Sequence, residues 1–516
     1  MMPATLPGYD AIPYESFPIT ETHPDRLAVI GRLFGLASPD PARARILELG
    51  CAAGGNLLPI AFHLPQTRCI GVELSRSQAV QGEETRRALG LDNAEIRHQD
   101  ILEIPLQGEP FDYIIAHGVF SWVPAAVQEH VLALCGARLA PGGIAYVSYN
   151  TLPGGRQRSM LRDMLLHHVR DVASPRERLA GAREMLAFLA TPLAEAPPGH
   201  DWLRKELERL QTARDSYLYH EYLEETNEPV LFRDFVERAA VHDLQYLADT
   251  QLHTMFPSTL GAAAEASLER FDDLIAEEQY ADFLRLRPFR HSLLCRGSES
   301  LTREVDLDAL LTLPLYTDLA IDPEGVFRNP AGQVFRVETP LLRAVVESLS
   351  GAFPRARPLA AILPEATQRA AGAGHAPTPH ETAALPEELF SLFVSGGVQP
   401  TLCPPDPVST AGPAGYPPRA THLARTLAGR GEHLIPTPRH QALQLDPVST
   451  RILALLDGSR EPAALVEAMI SAAARDPDLT RELGSTKPER QRERLRASVN
   501  GLLALLERHG LLVALR

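Results

Sequence analysis

The stretch from Arg45 to Asn56, Arg-Ile-Leu-Glu-Leu-Gly-Cys-Ala-Ala-Gly-Gly-Asn, constrains this chain more than any other. An apolar run ends in a carboxylate and breaks into small residues, and Leu57 to Leu64 follows with helical apolar spacing. That order reads as a buried parallel strand, a tight turn and the start of a helix. Gly50, Ala52 and Gly54 leave room for a ligand against the backbone, and the helix N-terminus offers N–H groups to it. The run also satisfies a degenerate GxGxxG, so by itself it admits a dinucleotide or S-adenosylmethionine (AdoMet).

Around it, strands and helices alternate. Strands are expected at 45–49, 69–73, 95–98, 112–116 and 143–149, and helices at 55–64, 76–89 and 125–138, with Gly90 and Pro141-Gly142-Gly143 closing two of the helices. Upstream, residues 1–23 are rich in Pro and aromatics and read as an ordered arm. Thr22 reads as an N-cap with Pro24 in the first turn, and the helix runs through Leu27, Ile30 and Leu33 to a stop at Gly35. Strict alternation implies a doubly wound parallel sheet that binds ligand outside the carboxyl ends of its strands.

After Tyr149 the pattern changes. Residues 157 to about 226 are helical throughout, with breaks at Ser174-Pro175 and Pro197-Pro198-Gly199. A helix at Phe232 to Ala240 and strands at Leu244 to Ala248 and Phe289 to Cys295 would then complete the sheet. The economical reading is one α/β domain interrupted by a helical insertion. The alternative is an α/β domain ending near 155, followed by a separate helical domain.

The last 200 residues carry a faint duplication. In one copy Val334 to Val337 leads to helices at Pro340 to Leu349, near Leu359 to Leu363 and at Glu387 to Val394, then a strand at Val398 to Leu402. In the other, Ala442 to Leu445 leads to Val448 to Leu456, Ala463 to Ile470 and Leu495 to Glu507, then Leu511 to Leu515. Strand, three helices and strand is the order of a winged-helix module. The resulting division is a ligand-binding core at 1–156, an insertion at 157–228, a segment completing the sheet at 229–296, winged-helix-like modules at 297–402 and 423–516, and a Pro-rich linker at 403–422.

A net charge of −15 opposes nucleic-acid binding, which needs basic surface, and permits a lysine-bearing protein partner. The five cysteines, Cys51, Cys69, Cys135, Cys295 and Cys403, are scattered without CxxC spacing, which points to a reducing compartment and no structural metal. No signal peptide is expected, and no apolar stretch nears the roughly 20 residues of a spanning helix. The expected location is the cytoplasm.

Three carboxylates fall at successive strand ends. Glu48, two residues before the first glycine, can meet the ammonium of a methionine moiety but would repel a pyrophosphate. Glu73, beside Leu74, can accept from two ribose hydroxyls, and Asp100 from an adenine amino group with Ile101 on the ring face. The plain alternatives are a turn residue for Glu48, an exposed loop acid for Glu73 and a helix cap for Asp100. Asn56 suits polar contact or capping. His117, opening the loop His117 to Pro124, either contacts the cofactor, stands near an acceptor amine or is a packed histidine. Trp122 reads as a cleft wall, Asn150 opens the other cleft loop, and Tyr14 can fold over the site from the arm. The expected cofactor set is therefore Glu48, Gly50, Cys51, Gly54, Asn56, Glu73, Leu74, Asp100, Ile101, His117 and Gly118, with Tyr14, His117, Trp122 and Asn150 as cleft residues and no base assigned. No metal is expected.

Several motifs together resemble bacterial AdoMet-dependent methyltransferases that carry a methyltransferase regulatory domain. They are Tyr9-Asp10, Pro13-Tyr14, Thr22-His23-Pro24, the Leu47 to Asn56 loop, the His117 to Pro124 loop and Ser148 to Gly154. Tyr219 to Pro229 and Arg287 to Cys295 are similar to the regulatory segment of that family. The resemblance implies AdoMet as cofactor, a dimer formed through the helical insertion, and lysine side chains of a protein, such as one of the outer membrane, as acceptor. The rivals are a small-molecule methyltransferase of secondary metabolism and an AdoMet-binding regulator acting through its winged-helix modules.

Overall fold

The computed structural model describes residues 7–194, 199–403, 417–484 and 487–513. Among these, one sheet has seven strands: β1 (Arg45–Leu49), β2 (Arg68–Glu73), β3 (Ala94–His98), β4 (Phe111–Ala116), β5 (Leu139–Asn150), β6 (Leu244–Asp249) and β7 (Phe289–Arg296). Their order is β3-β2-β1-β4-β5-β7-β6. β1 to β5 pair in parallel, and β7 runs antiparallel between β5 and β6. The central strands are apolar on both faces because both faces are covered. Ile46, Tyr113, Ile115 and Tyr146 pack on the side of the helices Pro24–Leu33 and Leu57–His63. Leu47, Ile114, Ala145 and Val147 pack on the side of Ala125–Arg138 and Phe232–Ala240. Each buried Leu or Ile contributes about 1.5–3 kcal/mol.

β6 and β7 join the same sheet as β1, so the helical stretch interrupts one α/β domain, and the reading of a domain ending near residue 155 fails. The insertion comprises Gly155–His168, Pro175–Ala194, Asp201–Thr212 and Asp215–Tyr222, around a small core of Leu161, Leu165, Leu186, Leu210, Leu218 and Tyr222. Of the break at Pro197-Pro198-Gly199, the two prolines lie outside the described residues.

Local expectations are corrected at several points. His23, not Thr22, caps the helix Pro24–Leu33: its Nδ1 accepts from the Asp25 N–H at 3.3 Å. Thr22 closes a short 3-10 turn, and its hydroxyl is taken up by Asn56 instead. Pro141-Gly142-Gly143 does not close the helix Ala125–Arg138, which passes directly into β5. The three residues form a bulge, opposite which the β4–β5 register jumps from Phe111↔Leu139 to Tyr113↔Ile144.

In the middle module the short strand Val334–Phe335 pairs with Phe327–Arg328, whereas Gln399–Pro400 pairs with Pro314–Tyr316, so the two do not share a sheet. The helices between them are Pro340–Ala352, Leu359–Gly372 and Pro379–Val394. The expected linker is too long at its C-terminal end. Residues 404–416 lie outside the described residues, but Arg419 bridges Asp457, Ala420 bridges Leu512 and Thr421 caps a helix His422–Gly429. The last module continues with a hairpin, Leu434–Pro436 and Ala442–Gln444, and the helices Pro447–Ala454, Pro462–Ala473 and Pro488–Arg508. Of the expected strand Leu511 to Leu515, Leu512 makes a single bridge, and residues 514–516 lie outside the described residues.

β7 is fastened from beneath by a buried ionic cluster. Arg290, fully buried, donates to Asp282 at 2.7 Å and Glu278 at 2.9 Å from the helix Leu274–Arg285, with its guanidinium 3.6 Å from the Phe232 ring centroid. Arg290→Met leaves Glu278 buried with only the Tyr246 hydroxyl and Asp282 buried with only Arg287 at 3.7 Å, so denaturant titration is expected to show a loss of about 3–5 kcal/mol. An unchanged unfolding midpoint would refute this account of the cluster.

Candidate active site

The strand order sets the site. β3, β2 and β1 are adjacent, so Asp100, Glu73 and Glu48 stand in a row along the carboxyl edge of the sheet. At about 4.8 Å per strand the row spans roughly 10 Å, the scale of an extended nucleoside with an amino-acid tail. Asp100 is half-buried. Its Oδ1 accepts from the Leu102 N–H and so caps the turn Ile101–Glu103. Ile101 packs against the apolar layer behind it. Glu73 accepts from Ala52 N–H through Oε2 at 2.9 Å and from Ser75 N–H through Oε1 at 2.7 Å, and each oxygen keeps a lone pair. Leu74 beside it is half-buried.

Five N–H groups of the glycine loop are already committed. Gly50 and Cys51 N–H both point to the Val72 carbonyl, Ala52 N–H to Glu73, Gly54 N–H to the Cys51 carbonyl and Gly55 N–H to Ser16 Oγ at 2.6 Å. A phosphate would need those same N–H groups. The dinucleotide reading therefore fails on hydrogen bonds that the sequence does not display. Positive φ at Gly50 (68°), Ala52 (49°) and Gly54 (75°) folds the loop this tightly. A Cβ on Gly50 would lie 2.6 Å from Val119 of the loop after β4, and one on Gly55 would lie 2.2 Å from the Ser16 carbonyl oxygen. The Cys51 side chain turns into the core, so only its backbone reaches the loop surface.

Glu48 is 4 % exposed. Its Oε1 accepts from Asn56 Nδ2 at 2.7 Å, while Oε2 is buried without a partner. Asn56 stands at the head of the helix but does not cap it, because its amide is spent on Glu48, Thr22, His440 and the Ile19 N–H. Burial pushes the Glu48 carboxyl up to about 8. The Asn56 bond acts against that shift, and the charge of Glu73 adds to it. An orphaned, buried carboxylate oxygen beside a glycine loop is what a ligand ammonium would satisfy, so these residues fit AdoMet.

On the other side of the loop, β4 delivers His117 and Gly118. His117 is packed and not poised as a base: its Nδ1 meets the Tyr146 hydroxyl at 2.8 Å, its ring lies beside His291, and burial pushes its pKa down to about 3. Gly118, at φ 64°, is exposed, and its N–H donates to Ser148 Oγ. Trp122 is half-buried. Asn150 donates to Asn227 Oδ1 at 2.9 Å, which ties the loop after β5 to the segment following the insertion.

The arm closes over this edge. Asp10 accepts from the Ser75 and Ser77 hydroxyls, Ser16 from Gly55 N–H, and the Ile12 carbonyl faces His220 Nε2 at 2.6 Å. His220 Nδ1 faces Glu224 at 2.9 Å, so the buried ring has an acceptor at each nitrogen. Tyr9 stacks on His220 at 4.3 Å, and Tyr14 lies 5.4 Å from it. Tyr14 thus stands beside the end of the insertion. The sequence marks Tyr9, His220, Glu221 and Glu224 only as parts of family motifs and Ser16 not at all, because only the fold brings the arm and the end of the insertion together.

The families that match are a methyltransferase domain over residues 46–143, a predicted methyltransferase regulatory domain over 214–296 and the PKMT C-terminal winged helix domain over 417–511. The fold is similar to that of PKMT2 from Rickettsia typhi, with a TM-score of 0.84 and 28% identity over 97% of this chain and 100% of that one. Against PKMT2 in complex with AdoHcy the TM-score is 0.83 at 27% identity. Two uncharacterized proteins of Rickettsia prowazekii, RP789 and RP028, are 40% identical over 301 residues and 37% identical over 233 residues. Those matches cover 58% and 45% of this chain, and 54% and 93% of the respective relatives, so the chain spans about half the length of the first. The chain belongs to this family of methyltransferases with regulatory and winged-helix domains.

The state of Glu48 makes cofactor binding sensitive to pH. Below about 8 the carboxyl of the free site holds its proton, and an ammonium beside it favours the carboxylate. Binding at pH 7 is therefore expected to release close to one proton, and affinity to rise from pH 6 toward 8. Calorimetry of AdoMet binding in two buffers of different ionisation enthalpy measures this directly. Glu48→Gln should abolish the proton release and weaken binding by about 10- to 100-fold, the range for a hydrogen bond to a charged group.

Proposed function

We propose that the protein is an AdoMet-dependent methyltransferase whose acceptor is the ε-amine of lysine in a protein substrate. The observation that carries this reading is the similarity along almost the whole chain to PKMT2, a protein lysine methyltransferase, solved also with AdoHcy. When bound, AdoMet supplies an electrophilic methyl group, so the residues of the chain have to orient an unprotonated amine and exclude water.

The surroundings of Glu221 support a lysine as acceptor. Its half-buried carboxylate accepts no hydrogen bond from the described residues, and burial raises its pKa. Tyr9, Tyr14 and Tyr217 lie within electrostatic reach of it, as do Arg158, Arg209, His220 and Arg162, whose charges partly offset the rise. A carboxylate bordered by aromatic rings attracts an ammonium and, with its raised pKa, can take the proton that the amine must lose. We place the approach of the lysine here, beside the arm.

The same reading includes a homodimer built on the insertion, whose helices expose Met160, Met164 and Phe188, and a cytoplasmic location in keeping with five free cysteines. Sedimentation is then expected to show twice the 56.5 kDa chain mass. Cell-envelope proteins, outer-membrane proteins among them, are the pool to offer first. With labelled AdoMet, methyl is expected on lysine side chains mapped by mass spectrometry, and transfer only to small molecules would overturn the acceptor. Glu221→Gln should lower kcat/KM for the protein substrate by about tenfold or more and leave AdoHcy affinity unchanged.

A further inference from the structure

We propose that the C-terminal module completes the cofactor site, with His440 at the tip of its hairpin acting as a positioning residue for the Asn56–Glu48 pair. The inference rests on the reading of Glu48 as the partner of the AdoMet ammonium. Thr437 to Gln441 close the hairpin through Thr437 N–H to the Gln441 carbonyl and Gln441 N–H to Thr437 Oγ1. The turn is pressed into the junction of all three parts of the chain. Arg439 lies 3.8 Å over the Tyr316 ring and donates to the Pro354 carbonyl of the middle module, and the His440 carbonyl accepts from Thr20 of the arm.

His440 itself is 2 % exposed and is held at φ 57°. A side chain in the left-handed region costs about 1 kcal/mol or more, a cost that recurs where a residue has a task. The ring makes one side-chain hydrogen bond among the described residues: Nε2 lies 2.7 Å from Asn56 Oδ1. The Ile19 N–H, which can only donate, also points at Oδ1 and fixes which end of the amide is oxygen. Asn56 Nδ2 must then face Glu48 Oε1, as it does at 2.7 Å. His23 and His63 face the His440 ring, and burial holds His440 neutral, so Nε2 reaches Asn56 as an N–H donor. The sequence His440, Asn56, Glu48 thus runs from the last module to a carboxylate whose Oε2 is buried and has no partner among the described residues.

The test is AdoHcy binding by calorimetry on the full chain, which does not depend on the acceptor. His440→Gly removes the imidazole and favours the positive φ, so the turn is not strained. It should weaken binding by roughly five- to tenfold, the worth of one buried hydrogen bond. On an Asn56→Ala background the same change should add nothing. His422→Ala, which removes a different bond between the module and the core (to the Ala88 carbonyl), should leave affinity unchanged.

A purely structural role would not move the pH profile. Glu48 is faced by Asn56, Glu73, Cys51 and Cys69, and the Asn56 bond holds its carboxyl down. Loosening Asn56 should therefore move the midpoint of the affinity profile upward. Should His440→Gly fold poorly, His440→Asn, which also tolerates positive φ, carries the same expectations. Unchanged affinity in the folded variant, an equal loss on the Asn56→Ala background, or an equal loss in His422→Ala would overturn the proposal. Failure of the unaltered protein to bind AdoHcy would overturn the cofactor reading with it.

Discussion

A carboxylate buried at the end of a central strand is the constraint on which this architecture turns. Glu48 lies at 4 % exposure with one oxygen unpartnered, and an unpaired polar group so placed costs about 1–3 kcal/mol or more. The surrounding residues manage that cost without removing it. Asn56 satisfies one oxygen, burial raises the pKa so that the empty site can hold a proton, and the second oxygen is left for a ligand cation. The sheet order then places Glu73 and Asp100 in series with it along the carboxyl edge.

Much of this was legible in the sequence, for physical reasons. Strands buried on both faces are continuous apolar runs, so β1, the helix Arg76–Leu89 and the helix Ala125–Arg138 stand where periodicity and the left-handed Gly90 place them. The three carboxylates were legible because strand ends are. The destination of each backbone N–H was not. Whether Gly55 offers its N–H to a phosphate or gives it to Ser16 depends on an arm 39 residues upstream, and that bond, with the one from Ala52 to Glu73, separates the two cofactors. Local rules also misjudged the caps. Thr22 is a good N-cap in isolation, but a buried Asn56 competes for its hydroxyl, and His23 takes the position.

The insertion and the arm depend on each other. The four helices of the insertion present Tyr219 to Glu224 at their end, and the arm meets them through Tyr9, Ile12 and Tyr14. Neither segment has a side of the active site without the other. This is why the sequence shows Glu221 and His220 as part of a family motif without a role: the groups that face them lie some 210 residues away, and the helical pattern around them reads only as packing.

The last module follows the same logic at longer range. A chain of net charge −15 is poorly suited to nucleic acid, and the tip of this module's hairpin, Arg439 and His440, is buried against the core. Its basic side chain is spent on Tyr316 and Pro354 and its imidazole on Asn56, so the turn faces inward. Coupling through such a contact is reciprocal: whatever factor His440 adds to cofactor affinity, a bound cofactor adds to the module's hold on the core. A winged-helix module joined in this way need not touch the substrate to matter for catalysis, since its docked state and the cofactor-bound state favour each other through one asparagine.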